Sequence, residues 1–223
     1  MTTIGFIGSG RIGTALAQLA VTAGHDVVLS NSRGPQSLRE IVARLGSRAH
    51  AASATEAAAA GDLVVVTIPI RAYRQIPVEP LRGRVVIDTL NYDPARQGAV
   101  PEIEACDIPP YLLLQAHLSD AYVVKTFNTV FFQHLPQLAR QTGAFDRSAV
   151  PIAGDHTPAK TAVAALIDSL GFDAYDVGPL AESRRFAPGT PAQWAYLDPD
   201  GMFAAPARPA SAADLAALLD KVN

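Results

Sequence analysis

Thr3-Ile4-Gly5-Phe6-Ile7-Gly8-Ser9-Gly10-Arg11-Ile12-Gly13 is the stretch that decides the fold of this chain. An apolar strand runs directly into the pattern G-x-G-x-x-G, and a helix is predicted to follow over Thr14–Ala23. In this pattern the first glycine permits a tight turn, the second lets the backbone approach a pyrophosphate, and the third lets the helix pack closely on the strand. The unpaired N–H groups of the helix N-terminus then point at the phosphates. The stretch therefore predicts a dinucleotide-binding unit, with the phosphates held by Gly8, Ser9, Gly10, Arg11 and Ile12.

The residues after the second predicted strand indicate which dinucleotide is bound. The strand Asp26–Ser30 is followed by Asn31, Ser32 and Arg33, at the place where an NAD-binding chain usually carries an acidic residue for the ribose 2′-hydroxyl. A carboxylate would repel a 2′-phosphate, whereas an amide, a hydroxyl and a guanidinium can bind one. We therefore predict NADP(H) as the cofactor. The alternative is that Ser32 and Arg33 only cap the next helix.

Composition points to a large buried surface. The 223 residues correspond to one large domain or a domain and a half. Charged residues make up 17% of the chain, against about a quarter in ordinary soluble domains, and apolar residues make up 49%. A lone domain of this size buries less surface than this composition implies, so we expect a homodimer.

Charge, cysteine content and apolar runs exclude several classes of protein. A net charge of −3 without a basic run argues against a nucleic-acid partner. Cys106 is the only cysteine, so a disulfide within the chain is impossible and a reducing compartment is expected. Neither a basic and apolar leader nor an apolar run of membrane-spanning length is apparent. We expect a cytoplasmic protein with no membrane partner.

Strand and helix patterns alternate along the chain. This alternation predicts an α/β fold, a Rossmann-type doubly wound parallel sheet with a small C-terminal extension. The predicted strands are Thr3–Ile7, Asp26–Ser30, Arg48–Ala51, Leu63–Ile68, Val85–Asp88, Ala121–Lys125, Ala149–Ala153 and Ala174–Val177. The predicted later helices are Gln36–Leu45, a short one before Gly61 capped by Ser53 or Thr55, Pro109–Leu118, one opening at Phe131 and Phe132, Pro158–Leu170 and Ala212–Val222.

The same pattern divides the chain into two parts. We predict an NADP-binding domain over residues 1–127 and a smaller C-terminal α/β part over residues 128–223, which completes the acceptor cleft. The segment Gly178–Pro209 is rich in glycine and proline and is predicted to wrap over the surface.

Ligands of an open parallel sheet lie beyond the carboxyl ends of its strands, where the strand order switches. This rule places Thr67, Ile68 and Pro69 along the ribose next to the nicotinamide, and Asn91 at the floor of the same cleft. Asn91 has an alternative role as a turn residue, because Asp93-Pro94 follows it.

Two other strand-end residues, Tyr92 and Lys125, are the candidate catalytic side chains, as proton donors. A structural lysine whose stem covers apolar surface and whose ammonium reaches water or helix-terminal carbonyls is the alternative for Lys125. Asn128 is expected to organise a turn rather than to take part in chemistry.

Other catalytic patterns do not occur in the sequence. The five histidines lack the spacing of a metal site, so we predict that no metal is bound, and no serine lies in a G-x-S-x-G elbow. A nucleotide site without an evident acid, base or metal is suited to direct hydride transfer to a small-molecule acceptor.

Six short motifs, taken together, resemble one known family. They are Gly8-Ser9-Gly10-Arg11-Ile12-Gly13, Asn31-Ser32-Arg33-Gly34, Asn91-Tyr92, Val124-Lys125-Thr126-Phe127-Asn128-Thr129, Pro151-Ile152-Ala153-Gly154-Asp155 and Gly178-Pro179-Leu180-Ala181-Glu182-Ser183. In this order they are similar to the NADP-dependent coenzyme F420 reductases (F420H2:NADP oxidoreductases) over nearly the whole chain.

The resemblance implies that Ser9 to Ile12 carry the pyrophosphate and that Asn31, Ser32 and Arg33 carry the 2′-phosphate. It also implies a dimer, and a deazaflavin (coenzyme F420) stacked on the nicotinamide between the main and C-terminal parts. One departure is Thr126, where family members often have alanine, beside the expected acceptor pocket.

The resemblance favours hydride transfer between NADP(H) and the deazaflavin. Two alternatives stay open. One is an NADPH-dependent reductase of a small imine, carbonyl or flavin, which needs a proton donor such as Tyr92 or Lys125. The other is a non-catalytic module that senses NADP(H).

Overall fold

The computed structural model describes residues 1–198, 203 and 205–222, and it contains one eight-stranded sheet of order β3-β2-β1-β4-β5-β6-β7-β8. The strands are β1 (Thr3–Ile7), β2 (Asp26–Ser30), β3 (Ala49–Ala51), β4 (Leu63–Val66), β5 (Val85–Asp88), β6 (Tyr122–Lys125), β7 (Ala149–Ala153) and β8 (Asp173–Gly178). The order switches between β1 and β4, as expected of a doubly wound fold. The predicted fold class is confirmed.

The direction of the last two strands differs from the prediction. Strands β1 to β6 are mutually parallel, but β7 pairs antiparallel with β6 through Lys125 and Ala153, and β8 runs parallel to β7. Apolar periodicity is the same for either direction, so the sequence pattern located both strands without orienting them.

The central strand β4 shows why the sheet is covered on both faces. Leu63 and Val65 pack into one apolar core, while Val64 and Val66 pack into a second core on the opposite face. All four side chains are buried, and burial of each contributes roughly 1.5–3 kcal/mol. The predicted strand ended at Ile68, whereas β4 ends at Val66. The next residue, Thr67, donates its hydroxyl to Gly8 O in the neighbouring turn.

The helices cover the two faces. They are α1 (Arg11–Thr22), α2 (Arg39–Leu45), α3 (Ala54–Ala60), α4 (Pro94–Gln97), α5 (Pro101–Glu104), α6 (Leu113–His117), α7 (Leu135–Leu138), α8 (Thr157–Ser169) and α9 (Ala212–Leu219). Short 3-10 helices lie at Pro35–Leu38, Ile70–Gln75, Glu79–Leu81, Pro110–Leu112, Leu180–Phe186 and Pro191–Trp194. Ser53 caps α3 in a capping box with Glu56, which confirms that cap.

Some predicted helix boundaries were wrong. Helix α1 begins three residues before the predicted Thr14, directly after Gly10. The helices predicted to start at Gln36 and Pro109 each begin with a 3-10 turn, and α9 ends at Leu219. Phe131 and Phe132 do not open a helix; their rings lie 4.7 Å apart between centroids, in a turn before α7.

The C-terminal part contributes to the core, and it is not only a surface wrap. Phe186 and Tyr196 lie within the segment predicted to cover the surface, yet both side chains are fully buried. Five residues of that segment, 199–202 and 204, lie outside the described residues. The predicted domain boundary at 127/128 falls between β6 and β7 and stays a prediction. Among the described residues, every helix is too short or too polar to span a bilayer.

Candidate functional site

The turn after β1 is closed by contacts that only glycine allows. Gly8 has φ +113°, and a Cβ on it would lie 2.6 Å from the carbonyl oxygen of Thr67. A Cβ on Gly13 would lie 2.5 Å from both Gly8 O and Thr67 Oγ1. The Thr67 hydroxyl donates to Gly8 O at 2.9 Å. Three elements, β1, α1 and the end of β4, therefore meet without room for a side chain.

The space in front of this turn is open. A Cβ added at Gly10 would meet no atom within 4 Å, and Gly10 itself is exposed. The first-turn N–H groups of α1, those of Arg11, Ile12 and Gly13, have no carbonyl partner inside the helix. No acidic residue lies in that first turn. Free N–H donors, open space and the positive end of the helix dipole fit a pyrophosphate.

A second loop is bonded to this turn. Asn31 Nδ2 donates to Ser9 Oγ at 3.2 Å and to Ser37 Oγ at 2.9 Å, while Asn31 Oδ1 accepts from the backbone N–H of Arg33 at 2.9 Å. The amide side chain of Asn31 thus fixes the loop after β2 and connects it to the turn at residues 8–13, called the phosphate turn below for its predicted ligand.

The loop carries positive charge without a balancing acid. The sequence from Asn31 to Ser37 contains no Asp or Glu. Ser32 and Arg33 are exposed, and the Arg33 guanidinium forms no ion pair with any other described residue. Such a group is available to a doubly charged phosphate monoester.

The residues after β4 border the same edge of the sheet. Thr67 N–H donates to Ile7 O at 2.9 Å, which keeps Thr67 next to the end of β1. Ile68 is half-buried and Pro69 is exposed before the 3-10 helix that starts at Ile70. The structure thus brings Thr67 together with the phosphate turn and leaves Ile68 and Pro69 as the next part of that edge.

The ends of β5 and β6 hold a buried ion pair. Lys125 Nζ lies 3.0 Å from Asp88 Oδ2, and the two side chains are 4% and 2% exposed. Lys125 also donates to Leu90 O at 2.6 Å. The alternative in which the Lys125 ammonium reaches water or helix-terminal carbonyls is therefore wrong, because the ammonium is buried and Leu90 lies after a strand and not at a helix end. Two of its three donor hydrogens are occupied.

A pair of amide side chains joins the same strand ends to the C-terminal part. Asn91 Nδ2 donates to Asn128 O at 2.7 Å, and Asn128 Nδ2 donates to Asn91 Oδ1 at 3.2 Å and to Phe186 O at 2.9 Å. The turn role expected of Asn128 stays a prediction, because its side-chain amide donates to Phe186 O, 58 positions away, and its contact with Asn91 was not foreseen. The signal in the sequence was an Asn after each of two strands that are neighbours in the sheet.

The turn after β6 contains buried polar atoms that lack protein partners. Among the described residues, Thr126 Oγ1 and Asn128 Oδ1 are both buried without a hydrogen bond. Phe127 between them is fully buried at φ +58°, a conformation that costs free energy for a bulky residue. Unmet polar atoms and backbone strain cluster at functional sites, and here they adjoin Asn91.

Tyr92 is not joined to this amide pair by a hydrogen bond. Its hydroxyl donates to the Glu104 carboxylate in α5, and that hydrogen bond raises the pKa of Tyr92 above its ordinary value. The phenol therefore stays protonated at neutral pH, with its hydrogen already committed to Glu104. Of the sequence-predicted site residues, the structure connects Gly8 with Thr67, Ser9 with Asn31, and Asn91 with Lys125 through Leu90.

Comparison with known proteins gives the family. The sequence model of the family described as NADP oxidoreductase, coenzyme F420-dependent, matches residues 3–92. The hypothetical protein SMa0349 from Sinorhizobium meliloti is 31% identical, with a TM-score of 0.69 over 82% of this chain and 88% of that chain. A protein from Arthrobacter sp. FB24, proposed to be an F420-dependent NADP reductase, is 24% identical, with a TM-score of 0.68 and the same coverage.

Fold similarity extends to longer reductases. The imine reductase BcSIRED from Bacillus cereus BAG3X2 is 19% identical, with a TM-score of 0.59 over 80% of this chain and 55% of that chain. At this identity the likeness shows the fold alone. The family match over residues 3–92, and the 31% identity across most of the Sinorhizobium protein, show a family relationship as well as a shared fold. This chain belongs to the coenzyme F420-dependent NADP oxidoreductase family, and its class of chemistry is NADP-linked oxidoreduction.

Proposed function

We propose that this protein transfers a hydride between NADP(H) and a deazaflavin, coenzyme F420. The observation that carries the proposal is the loop Asn31–Gly34, which has no acidic residue and is bonded to the phosphate turn through Asn31 and Ser9. The family description, and a match that covers both of these segments, support the choice of F420 as acceptor.

Different residues of this chain would bind different parts of the nucleotide. Ser9 to Ile12 and the N-terminus of α1 would hold the pyrophosphate. Asn31, Ser32 and Arg33 would hold the 2′-phosphate, and Thr67, Ile68, Pro69 and Asn91 would border the nicotinamide ribose. When bound, NADPH supplies a hydride at C4 of its nicotinamide ring.

The state of the two candidate proton donors supports transfer without a dedicated acid. The Tyr92 hydroxyl is committed to Glu104, and the Lys125 ammonium is buried against Asp88 and Leu90. A reductase of an imine or a carbonyl needs a donor at the reacting atom. Reduction of a deazaflavin at C5 depends instead on proximity, which is what a nucleotide cleft beside an acceptor cleft provides.

Absorbance spectroscopy tests the proposal directly. Wild-type protein mixed with NADPH and oxidised F420 should bleach both chromophores in equal amounts, and replacing NADPH by NADH should slow the reaction strongly. Gly10→Ala is the matched control for dependence on bound nucleotide. Its methyl group fills the open space at the phosphate turn, so this variant should bind NADPH weakly and bleach F420 slowly. Wild-type protein that binds NADPH in calorimetry but bleaches no F420 at saturating NADPH would reject this acceptor.

A further inference from the structure

Both backbone polar groups of Leu90 are held by one buried ion pair. The N–H of Leu90 donates to Asp88 Oδ1 at 2.7 Å, and its carbonyl oxygen accepts from Lys125 Nζ at 2.6 Å. Asp88 and Lys125 face each other across the β5–β6 register and are bonded at 3.0 Å. Both side chains are buried.

Stability alone does not account for this pair. Removing a carboxylate and an ammonium from water costs several kcal/mol for each ion, and a well-packed apolar pair of similar volume is often as stable. Each charge here also binds the backbone of a residue outside the strands, which an apolar pair could not do. The specific effect of the pair is to fix the backbone at Leu90.

Leu90 immediately precedes the amide pair of the site. Asn91 and Asn128 exchange hydrogen bonds of 2.7 and 3.2 Å, and Asn128 reaches Phe186 O at 2.9 Å. A change in the backbone at Leu90 would displace Asn91 and with it the contact to Asn128. The adenosine side, by contrast, is built from Ser9, Asn31 and Arg33, which make no contact with either charged residue.

We propose that Asp88 and Lys125 are positioning residues for the nicotinamide half of the cleft. They hold Leu90 so that Asn91 and Asn128 stay bonded to each other where the nicotinamide ring is bound. This inference rests on the proposed function, because that function defines which end of the cleft receives the nicotinamide. It assigns Lys125 a role through Leu90 and not as a proton donor.

The test separates the two halves of the nucleotide. Lys125→Met keeps the length and apolar stem of the side chain but removes its charge and its bond to Leu90. Calorimetry with 2′,5′-ADP, which lacks the nicotinamide, reports the adenosine half. The fluorescence of bound NADPH reports the nicotinamide half without any acceptor, and the rate of F420 reduction reports catalysis.

The Lys125→Met protein should bind 2′,5′-ADP within about twofold of the wild-type affinity, since that half of the site is untouched. It should lose most of the wild-type change in nicotinamide fluorescence and reduce F420 at least about tenfold more slowly. Lys125→Arg should lose less fluorescence change and less F420 reduction rate than Lys125→Met, because it keeps a cation beside Asp88. Lys160→Met removes another ion-paired lysine, bonded to Asp176, and should match the wild-type protein in every assay.

Three outcomes would overturn the inference. The folded Lys125→Met protein could match the wild-type fluorescence and rate, or it could lose 2′,5′-ADP affinity by the same factor as activity. If Lys125→Met does not fold, Asn91→Leu is the variant to test, because it leaves the ion pair intact. The third outcome is an Asn91→Leu protein with the wild-type change in nicotinamide fluorescence. Wild-type protein that binds no 2′,5′-ADP would instead overturn the proposed function, and this inference with it.

Discussion

Asn31 Nδ2 lies 3.2 Å from Ser9 Oγ and joins the loop after β2 to the turn after β1. The two segments are already aligned, because Gly8 N–H donates to Ser30 O at 3.1 Å and the Ser30 hydroxyl donates to Phe6 O at 2.8 Å. The residues assigned to the pyrophosphate and those assigned to the 2′-phosphate thus belong to one hydrogen-bonded unit. A change in either loop is expected to reach the other.

Arg33→Ala should weaken NADPH binding and leave NADH binding almost unchanged. Losing a charged hydrogen-bonding partner of the 2′-phosphate costs about 1.5–3 kcal/mol, or roughly 10- to 150-fold in Kd. Calorimetry with both nucleotides measures the difference. Arg44→Ala removes an exposed arginine from the last turn of α2 and serves as the matched control. Equal losses for NADPH and NADH in Arg33→Ala would show that Arg33 does not read the 2′-phosphate.

Gly13→Ala should lower the stability of the protein, whereas Gly10→Ala should lower its affinity for NADPH. A methyl group at Gly13 would lie 2.5 Å from backbone and side-chain atoms, so Gly13→Ala should lower the free energy of unfolding by about 1–3 kcal/mol. At Gly10 a methyl group meets no protein atom, so Gly10→Ala should keep wild-type stability but lose NADPH affinity. Urea unfolding and calorimetry on both variants decide this. A Gly10→Ala protein that binds NADPH normally would contradict a pyrophosphate at this turn.

Tyr92→Phe distinguishes the two kinds of reductase. If F420 accepts the hydride directly, removing the phenol hydroxyl should change the rate by less than about threefold, whereas loss of a general acid typically costs 10²- to 10⁴-fold. The pKa of Tyr92 is raised by its hydrogen bond to Glu104, so no titration of Tyr92 should appear in the wild-type pH profile near neutrality. Steady-state rates from pH 6 to 9 for both proteins provide the measurement. A large loss in Tyr92→Phe would favour a proton-donating mechanism.

The free energy of unfolding should fall at acidic pH because His25 becomes protonated. Burial lowers the pKa of His25 below its ordinary value of 6.5, so below that pH the unfolded chain binds more protons than the folded chain. The contribution of the neutral imidazole, whose Nε2 lies 2.9 Å from Ser169 Oγ, is therefore present above pH 6.5 and lost as the pH drops through the folded-state pKa. Urea unfolding at pH 7.5 and 5.0 should show a smaller difference for His25→Gln than for wild type. His50→Gln, at an exposed position, should behave as wild type does.

The geometry of the turn after β1 and of the loop after β2 was predictable because its signals are local. The glycines at 8, 10 and 13 and the loop from Asn31 to Gly34 each act within a few residues of a strand end. The spacing of the glycines predicts the turn and the open space in front of it. The loop from Asn31 to Gly34 contains no acidic residue, which is read directly from the sequence. The structure places them as that spacing indicated, although whether they bind the nucleotide stays a prediction.

The contacts at the ends of β5 and β6 were less predictable because they depend on register. The bond between Asp88 and Lys125 requires that β5 and β6 be neighbours aligned at those two residues, 37 positions apart. The contact of Asn128 with Phe186 likewise spans 58 positions. Strand ends can be located from apolar runs, but which side chains meet across them is decided by sheet order and direction, which local patterns do not contain.

The reversed strand β7 has a consequence for how the cleft can vary. Because Ala153 at the end of β7 sits opposite Lys125 at the end of β6, the rest of β7 continues past the carboxyl edge of the parallel strands. It forms a wall beside the turn at residues 126–130, all of which are buried. Insertions or deletions at the amino end of β7 would therefore raise or lower that wall and so resize the space beside this turn, where we propose that the acceptor binds. The six parallel strands would keep their pairing, so the turn after β1 would be unaffected by such a change.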